Sequence, residues 1–264
     1  MKTLKFIIPF FISCFFCIHA WANPTDQKNQ FITTLAVRYH VPTYYTKTVL
    51  SHAKLMPSSI VKITTPYEIQ PYYIYVTHFL TQKRIHAGIV FWQTHHRVLM
   101  MAQKKYGVSA YMITAILGIE TVYGKRQGAT PLLNSLYTLA FYYPPRARFF
   151  KMELAQYLLM CYEKGLSPYT LRGSYAGAFG MPQFMPSSYR VYSVAYNSNH
   201  PADIVHNTND AIFSIANYFQ KMGWKPGLSY HQQLAVIRRY NGSMDYAMAA
   251  EQLARAIQTH DHRF

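Results

Sequence analysis

Acids and cysteines are scarce in this chain. Only ten Asp and Glu stand against 26 Lys and Arg in 264 residues, a formal charge of +16, and the acids are spread out rather than gathered in a tail. Such a field favours a polyanionic partner. Nucleic acid, an anionic membrane surface and peptidoglycan with its peptide-stem carboxylates all fit, and a basic solvated surface is the plain alternative. Of three cysteines, Cys14 and Cys17 lie in the leader described below, so Cys161 would stand alone and no internal disulfide could form. Its apolar surroundings, Tyr157 to Tyr162, make it a packing residue rather than a nucleophile. Also missing are internal repeats, low-complexity tracts and long Gly/Ser linkers. There is no HExxH pair among the 12 histidines, and His95 and His96, being adjacent, point in different directions on a helix. Walker, dinucleotide, helix-turn-helix and RNA-binding signatures are absent as well. No metal or cofactor is expected.

A short apolar run does occur at the start. Lys2 and Lys5 form a basic beginning, Phe6 to Ile18 an apolar stretch, and Ala20-Trp21-Ala22 a signal-peptidase site. The run is shorter than the ~20 residues of a spanning helix, so cleavage before Asn23 and delivery to the periplasm are expected. Loss of Lys2 and Lys5 takes the charge from +16 to +14.

Half of the residues are hydrophobic, which argues for a substantial core. Helical periodicity dominates. Candidate helices are Gln27 to Tyr39, Thr43 to Met56, Arg84 to Lys105, Ser109 to Tyr123, Leu132 to Tyr142, Arg146 to Tyr162, Asp210 to Met222, Gln232 to Tyr240 and Asp245 to Thr259. Ser109 is placed to cap the next helix, Pro144-Pro145 to separate two, and Gly107, Gly124 and Gly223 to end others. Tyr72 to Val76, β-rich and following a proline, reads as a strand. The expected organisation is a leader over 1–22, a mainly helical segment over 23–83 that packs on the rest, and a helical domain over 84–264.

Chemistry concentrates in two stretches. Ala110 to Gly124 is apolar nearly all round, the mark of a helix inside a domain. Glu120 follows Ile116 by four residues and Met112 by eight, so its carboxylate leaves an apolar stripe. Burial there would raise its pKa, as a general acid near neutral pH requires. A buried structural Glu paired with an arginine or a helix end is the alternative. Glycosidases that hydrolyse normally need two carboxylates flanking the scissile bond, and no other acid of the mature chain lies in a comparably apolar setting. A one-carboxylate mechanism is easier to build. In the second stretch, Arg172 to Tyr189, Gly173, Gly177 and Gly180 permit tight turns and close approach of a ligand. Ser174 and Gln183 offer hydrogen bonds, and aromatics offer flat faces. Small residues for close helix packing are the alternative there.

Together these stretches resemble the membrane-bound lytic murein transglycosylase B family. The likeness begins at Gly88-Ile-Val-Phe-Trp92 and runs through GIETVYG, LAFYYPPRA, GSYAGAFGMPQFMPSSY, DAIFSIANYF and RYNGSMDYAMA. It implies a lysozyme-like, mainly helical catalytic core with an N-terminal helical extension. It also implies cleavage of the bond between N-acetylmuramic acid and N-acetylglucosamine without water, leaving a 1,6-anhydro ring. By motif position Glu120 is the acid and base. Ser174, Gln183, Phe184, Tyr218, Tyr240, Asn241 and Tyr246 would bind sugar or position the acid, and Arg146 would contact the muramic side. Peptidoglycan glycan strands are the implied partner, with peripheral association to the envelope and no nucleic acid. A non-catalytic peptidoglycan-binding or scaffold protein is the competing reading.

Three departures stand out. One arginine, Arg146, follows the prolines where the family carries two. The region after MPSSY reads Ala195-Tyr-Asn-Ser-Asn-His200, too poor in hard oxygen ligands for calcium. Trp224 and Tyr240 are only 16 positions apart, where the family has a sizeable insertion.

Overall fold

A computed structural model describes residues 23–65, 71–197 and 200–261. The expected leader lies outside them. The regular structure is almost entirely helical: α1 (Pro24–Tyr39), α2 (Thr43–His52), α3 (Pro57–Thr64), α4 (Tyr72–Tyr75), α5 (Gln82–Tyr106), α6 (Ala110–Thr121), α7 (Leu132–Tyr142), α8 (Ala147–Lys164), α9 (Pro186–Tyr192), α10 (Thr208–Lys221), α11 (Tyr230–Asn241) and α12 (Met244–Asp261). Two short strands, β1 (Thr130–Pro131) and β2 (Arg172–Gly173), pair antiparallel with Thr130 opposite Gly173.

The ends of these helices have local causes. Thr81 caps α5 by accepting from the Arg84 amide, and Gly107 ends it in the left-handed conformation. Ser229 and Gln232 form a reciprocal capping box on α11. Ser109 does not cap α6 with its side chain. Gln103 Oε1 takes the Ala110 amide at 2.8 Å instead, so the preceding helix satisfies the donor that a local cap was expected to hold. Residues Tyr72 to Val76 are not a strand: α4 runs straight into a 3-10 turn, Val76–His78. The Pro71 carbonyl accepts from the amides of Ile74 and Tyr75, and Tyr75 is buried with its ring 5.0 Å from Phe79. Packing of one aromatic face has overridden the β-preference of the residues.

α6 occupies the centre, packed against α5 and α12, which also touch each other, with α10 across both α5 and α6. Met112 through Gly118 are all buried, as expected for a helix apolar on every face. A second layer is the α7–α8 pair with α9 on α8. α1 rests on α7 and α8, and α3 on α7. The Lys54 amide donates to Asn134 Oδ1 and the Met56 amide to Thr138 Oγ1, which fastens the segment before α3 to α7. One hydrophobic core runs unbroken from Phe31 in α1 to Ile257 in α12. Cys161 is buried within it, its thiol pushed up to about 12 chiefly by burial, so it carries no reactive thiolate near neutral pH.

Candidate active site

Glu120 lies one residue before the end of α6, where the backbone does something costly. Val122 and Tyr123 both have positive φ, 51° and 59°, a conformation that a β-branched or bulky residue adopts at a cost of about 1–3 kcal/mol. Four bonds hold it. The Val122 and Tyr123 amides reach back to Gly118 O and Leu117 O, the Arg126 amide reaches Thr121 O at 2.8 Å, and the Tyr123 hydroxyl donates to Arg84 O at 2.9 Å. The Tyr123 ring then folds over the helix it has just left. A Cβ on Gly118 would lie 2.7 Å from that ring, and one on Gly88 would lie 2.5 Å from its hydroxyl. The glycines of GIETVYG and of Gly88 to Trp92 therefore serve one closure, which fixes the direction in which Glu120 leaves α6.

Thr121 joins this helix end to the glycine-rich loop. Buried completely, its hydroxyl donates to Met181 O and accepts from the Gly124 amide, each at 2.9 Å. Met181 is itself held through its amide by Ile204 O. In the loop, Phe179 and Phe184 exchange backbone hydrogen bonds, and Ser174 Oγ accepts from the Ala178 amide. Gln183 has φ +49° and donates from its side chain to Gln127 O and Gly180 O. This polar group orders the loop with its donors.

An aromatic wall faces the carboxylate. The Tyr246 hydroxyl donates to Glu120 Oε1 at 2.6 Å. Tyr240 stacks on both Tyr246 and Phe219, with interplanar angles of 8° and 7°. Its hydroxyl donates to Pro182 O, pinning the wall to the loop. Tyr218 and Phe184 complete the cluster, Tyr218 with its hydroxyl on Arg239 O. Burial raises the Glu120 carboxyl from 4.5 to about 7, against the opposing pull of the Tyr246 bond. Burial first, and the charge of Glu120 next, push the Tyr240 and Tyr246 phenols well above their usual range. Both remain neutral donors. The group is thus a carboxyl that can hold or release a proton near neutral pH, beside hydroxyls that cannot compete for it.

Of the residues singled out in the sequence, Phe184, Tyr218, Tyr240 and Tyr246 meet in this cluster, and Ser174 and Gln183 shape the adjoining loop. Asn241 is exposed at the end of α11. Arg146 is exposed in a short 3-10 turn, its guanidinium 4.4 Å from the centre of the Phe149 ring. Glu120 is paired with a tyrosine, not with an arginine. Depth alone does not set Glu120 apart from the acids expected to lie in less apolar settings: Glu153, Asp210 and Glu251 are 1%, 0% and 5% exposed. Each is already engaged. Glu153 takes the Ser187 amide and hydroxyl at the start of α9, Asp210 takes the amides of Tyr196 and Asp203, and Glu251 pairs with Arg255. Thr121, Gly118 and Tyr123 were not singled out, although all three stand in the same seven-residue motif as Glu120.

The model of the transglycosylase SLT domain family matches residues 24–236. Membrane-bound lytic murein transglycosylase B of Escherichia coli K12 is 33% identical over 236 residues, a match covering 68% of this chain and 65% of that relative. The chain thus spans just under two thirds of that protein's length. The crystal structure of soluble lytic transglycosylase SltB1 from Pseudomonas aeruginosa superposes with a TM-score of 0.83 at 31% identity, covering 89% of this chain and 99% of that one. Escherichia coli lytic transglycosylase Slt35 in complex with calcium gives 0.80 at 29% identity, covering 89% and 93%. Its helical architecture is the lysozyme-like one of these relatives, and with most of its length inside the family match, this chain belongs to the transglycosylase SLT domain family.

Proposed function

We propose that this chain is a lytic transglycosylase of peptidoglycan, with Glu120 as its only catalytic acid and base. The observation that carries the reading is the Glu120 carboxyl, its pKa pushed up to about 7 by burial and its orientation set by Tyr246, with the other buried acids among the described residues, Glu153, Asp210 and Glu251, already committed elsewhere. In the first step Glu120 gives its proton to the glycosidic oxygen as the bond from muramic C1 to that oxygen breaks. In the second, its carboxylate takes the proton of the muramic 6-hydroxyl, whose oxygen closes on C1. Glu120 ends protonated as it began, and no water is consumed. A second carboxylate has no task in this scheme.

Tyr240, Tyr246, Tyr218 and Phe184 are the wall against which the sugars lie, Ser174 and Gln183 the polar loop opposite, and Asn241 and Arg146 outer contacts. Residues 23–83 extend the catalytic domain. The enzyme acts in the periplasm after loss of residues 1–22; among the described residues no helix is long and apolar enough to cross a membrane. Mass spectrometry of products released from purified sacculi tests the reading. Muropeptides ending in 1,6-anhydromuramic acid are expected. Reducing ends would mean hydrolysis, and no release would mean a binding protein.

A further inference from the structure

Among the described residues, one charged side chain has a donor that is both buried and without a hydrogen-bond partner: Arg84, at Nη1. It stands in the first turn of α5, a turn that contains no acid, where the helix dipole disfavours a cation. Its guanidinium lies 5.2 Å from the centre of the Phe79 ring. A second arginine, Arg126, follows by three residues the tyrosine whose hydroxyl donates to the Arg84 carbonyl, Tyr123. Burial chiefly, and the Arg126 charge as well, hold Arg84 below the usual arginine range, against the favourable pull of Tyr123. The ion pairs of the described residues are Arg190–Glu163, His200–Asp210, His206–Asp203 and Arg255–Glu251. Neither Arg84 nor Arg126 belongs to any of them.

The location matters as much as the imbalance. Glu120 meets Tyr246, Tyr246 is electrostatically coupled to Tyr75, the Tyr75 ring touches Phe79, and Phe79 underlies Arg84. The Arg84 carbonyl closes the circuit on Tyr123, three residues past Glu120. Arg126 follows in the same turn, tied by its amide to Thr121 O. Two like charges, one short of a partner, therefore flank the exit of the catalytic helix. Removing a buried charge's partner is costly, and supplying one relieves that cost. A carboxylate suits the planar fork of a guanidinium, which it can meet with two parallel hydrogen bonds.

We propose that Arg84 and Arg126 form an anion site for a carboxylate of the peptide stem carried by the glycan. This rests on the peptidoglycan reading above and extends it to stem recognition. Arg126 is exposed and receives the stem; Arg84, partly buried beside Phe79, fixes its direction.

The test compares soluble glycan strands bearing stems with the same strands stripped by an amidase. In Arg126→Gln the ratio of kcat/KM on stem-bearing to stripped strands should fall about tenfold, the scale of one charge-assisted hydrogen bond. An unchanged ratio, or equal loss on both substrates, overturns the site. Arg84→Gln should move the ratio the same way, with thermal melts to show that it folds. A binding arm needs no turnover: Glu120→Gln protein is titrated calorimetrically with a disaccharide tripeptide and with the bare disaccharide. The tripeptide's advantage should vanish when Arg126→Gln is added. If that advantage is present and depends on Arg126 while the wild type cleaves neither strand, the anion site stands and the transglycosylase reading falls. If both strands are cleaved with no dependence on Arg126, the reading stands and the site falls.

Discussion

The Tyr246 hydroxyl and Glu120 Oε1 lie 2.6 Å apart, and this bond acts against the burial that otherwise governs the carboxyl. A donor to a carboxylate favours the charged form, whereas the apolar wall favours the neutral one. Burial wins, and the group settles at about 7. That balance suits the mechanism proposed above, in which the carboxyl gives up a proton in one step and recovers one in the next.

Tyr246→Phe removes the opposing pull and leaves the burial. The Glu120 carboxyl should then rise above about 7. Activity begins from the protonated acid, so its alkaline limb should move to higher pH while the maximal rate falls through loss of orientation. A pH profile of kcat on soluble glycan strands checks this. An alkaline limb in the wild-type position would show that the bond does not set the titration.

Thr121 supports the site from behind. Thr121→Val keeps the shape but strips the hydroxyl from between Met181 O and the Gly124 amide. Leaving such buried groups unpaired costs about 1–3 kcal/mol each, so the melting temperature should drop by several degrees. The tie between Glu120's helix and the glycine-rich loop should loosen, lowering kcat more than it changes KM, with Thr121→Ser restoring both. Wild-type kcat in the valine variant would contradict the positioning role.

Much of this arrangement is legible in the sequence where a rule is local. The all-round apolar character of α6 announced its burial, and prolines bracketed α7 so closely that its expected and observed limits coincide at Leu132 and Tyr142. The family motifs placed Glu120 among the aromatics that surround it. What stayed hidden depends on partners far along the chain. α3 and α9, at 8 and 7 residues, are too short for a 3.6-residue period to declare itself. Glu153 looks like any helix carboxylate until Ser187 arrives across 34 positions to take both its oxygens. Ser109 had the right residue type for a cap, but Gln103, one turn before the end of α5, reached the amide instead. Gly118 carries no local signal either; its reason is a tyrosine ring that folds back over it.

Calcium should not stabilise this fold. In the segment after α9, Asp210 spends its oxygens on the amides of Tyr196 and Asp203 at 2.8 Å each, and Asp203 Oδ1 accepts from Val205 and His206. Backbone donors already occupy the oxygens a hard cation would want. Thermal melts in calcium and in chelator should coincide. A rise of several degrees with calcium would mean that these carboxylates can be recruited away from their amides.

Glu120→Gln separates catalysis from stability, and pH reveals the difference. The wild-type carboxyl moves from 4.5 to about 7 on folding, so the folded chain holds its proton more tightly than the unfolded one. Its contribution to stability is complete below the unfolded value and is lost as pH rises through the folded one. At higher pH the penalty approaches about 3 kcal/mol, lessened by the partial opening of Glu120 to solvent. Gln keeps the shape and an acceptor for Tyr246 but does not titrate. The variant should therefore gain on the wild type in melting temperature between about pH 5 and about pH 8, the reverse of what loss of a stabilising residue would do. Over the same range its release of anhydro products should fall by at least ~10² to ~10⁴, the usual worth of general acid-base catalysis. Near-wild-type release by the purified variant would remove Glu120 from its role, and a constant difference in melting temperature across pH would remove the account of its burial.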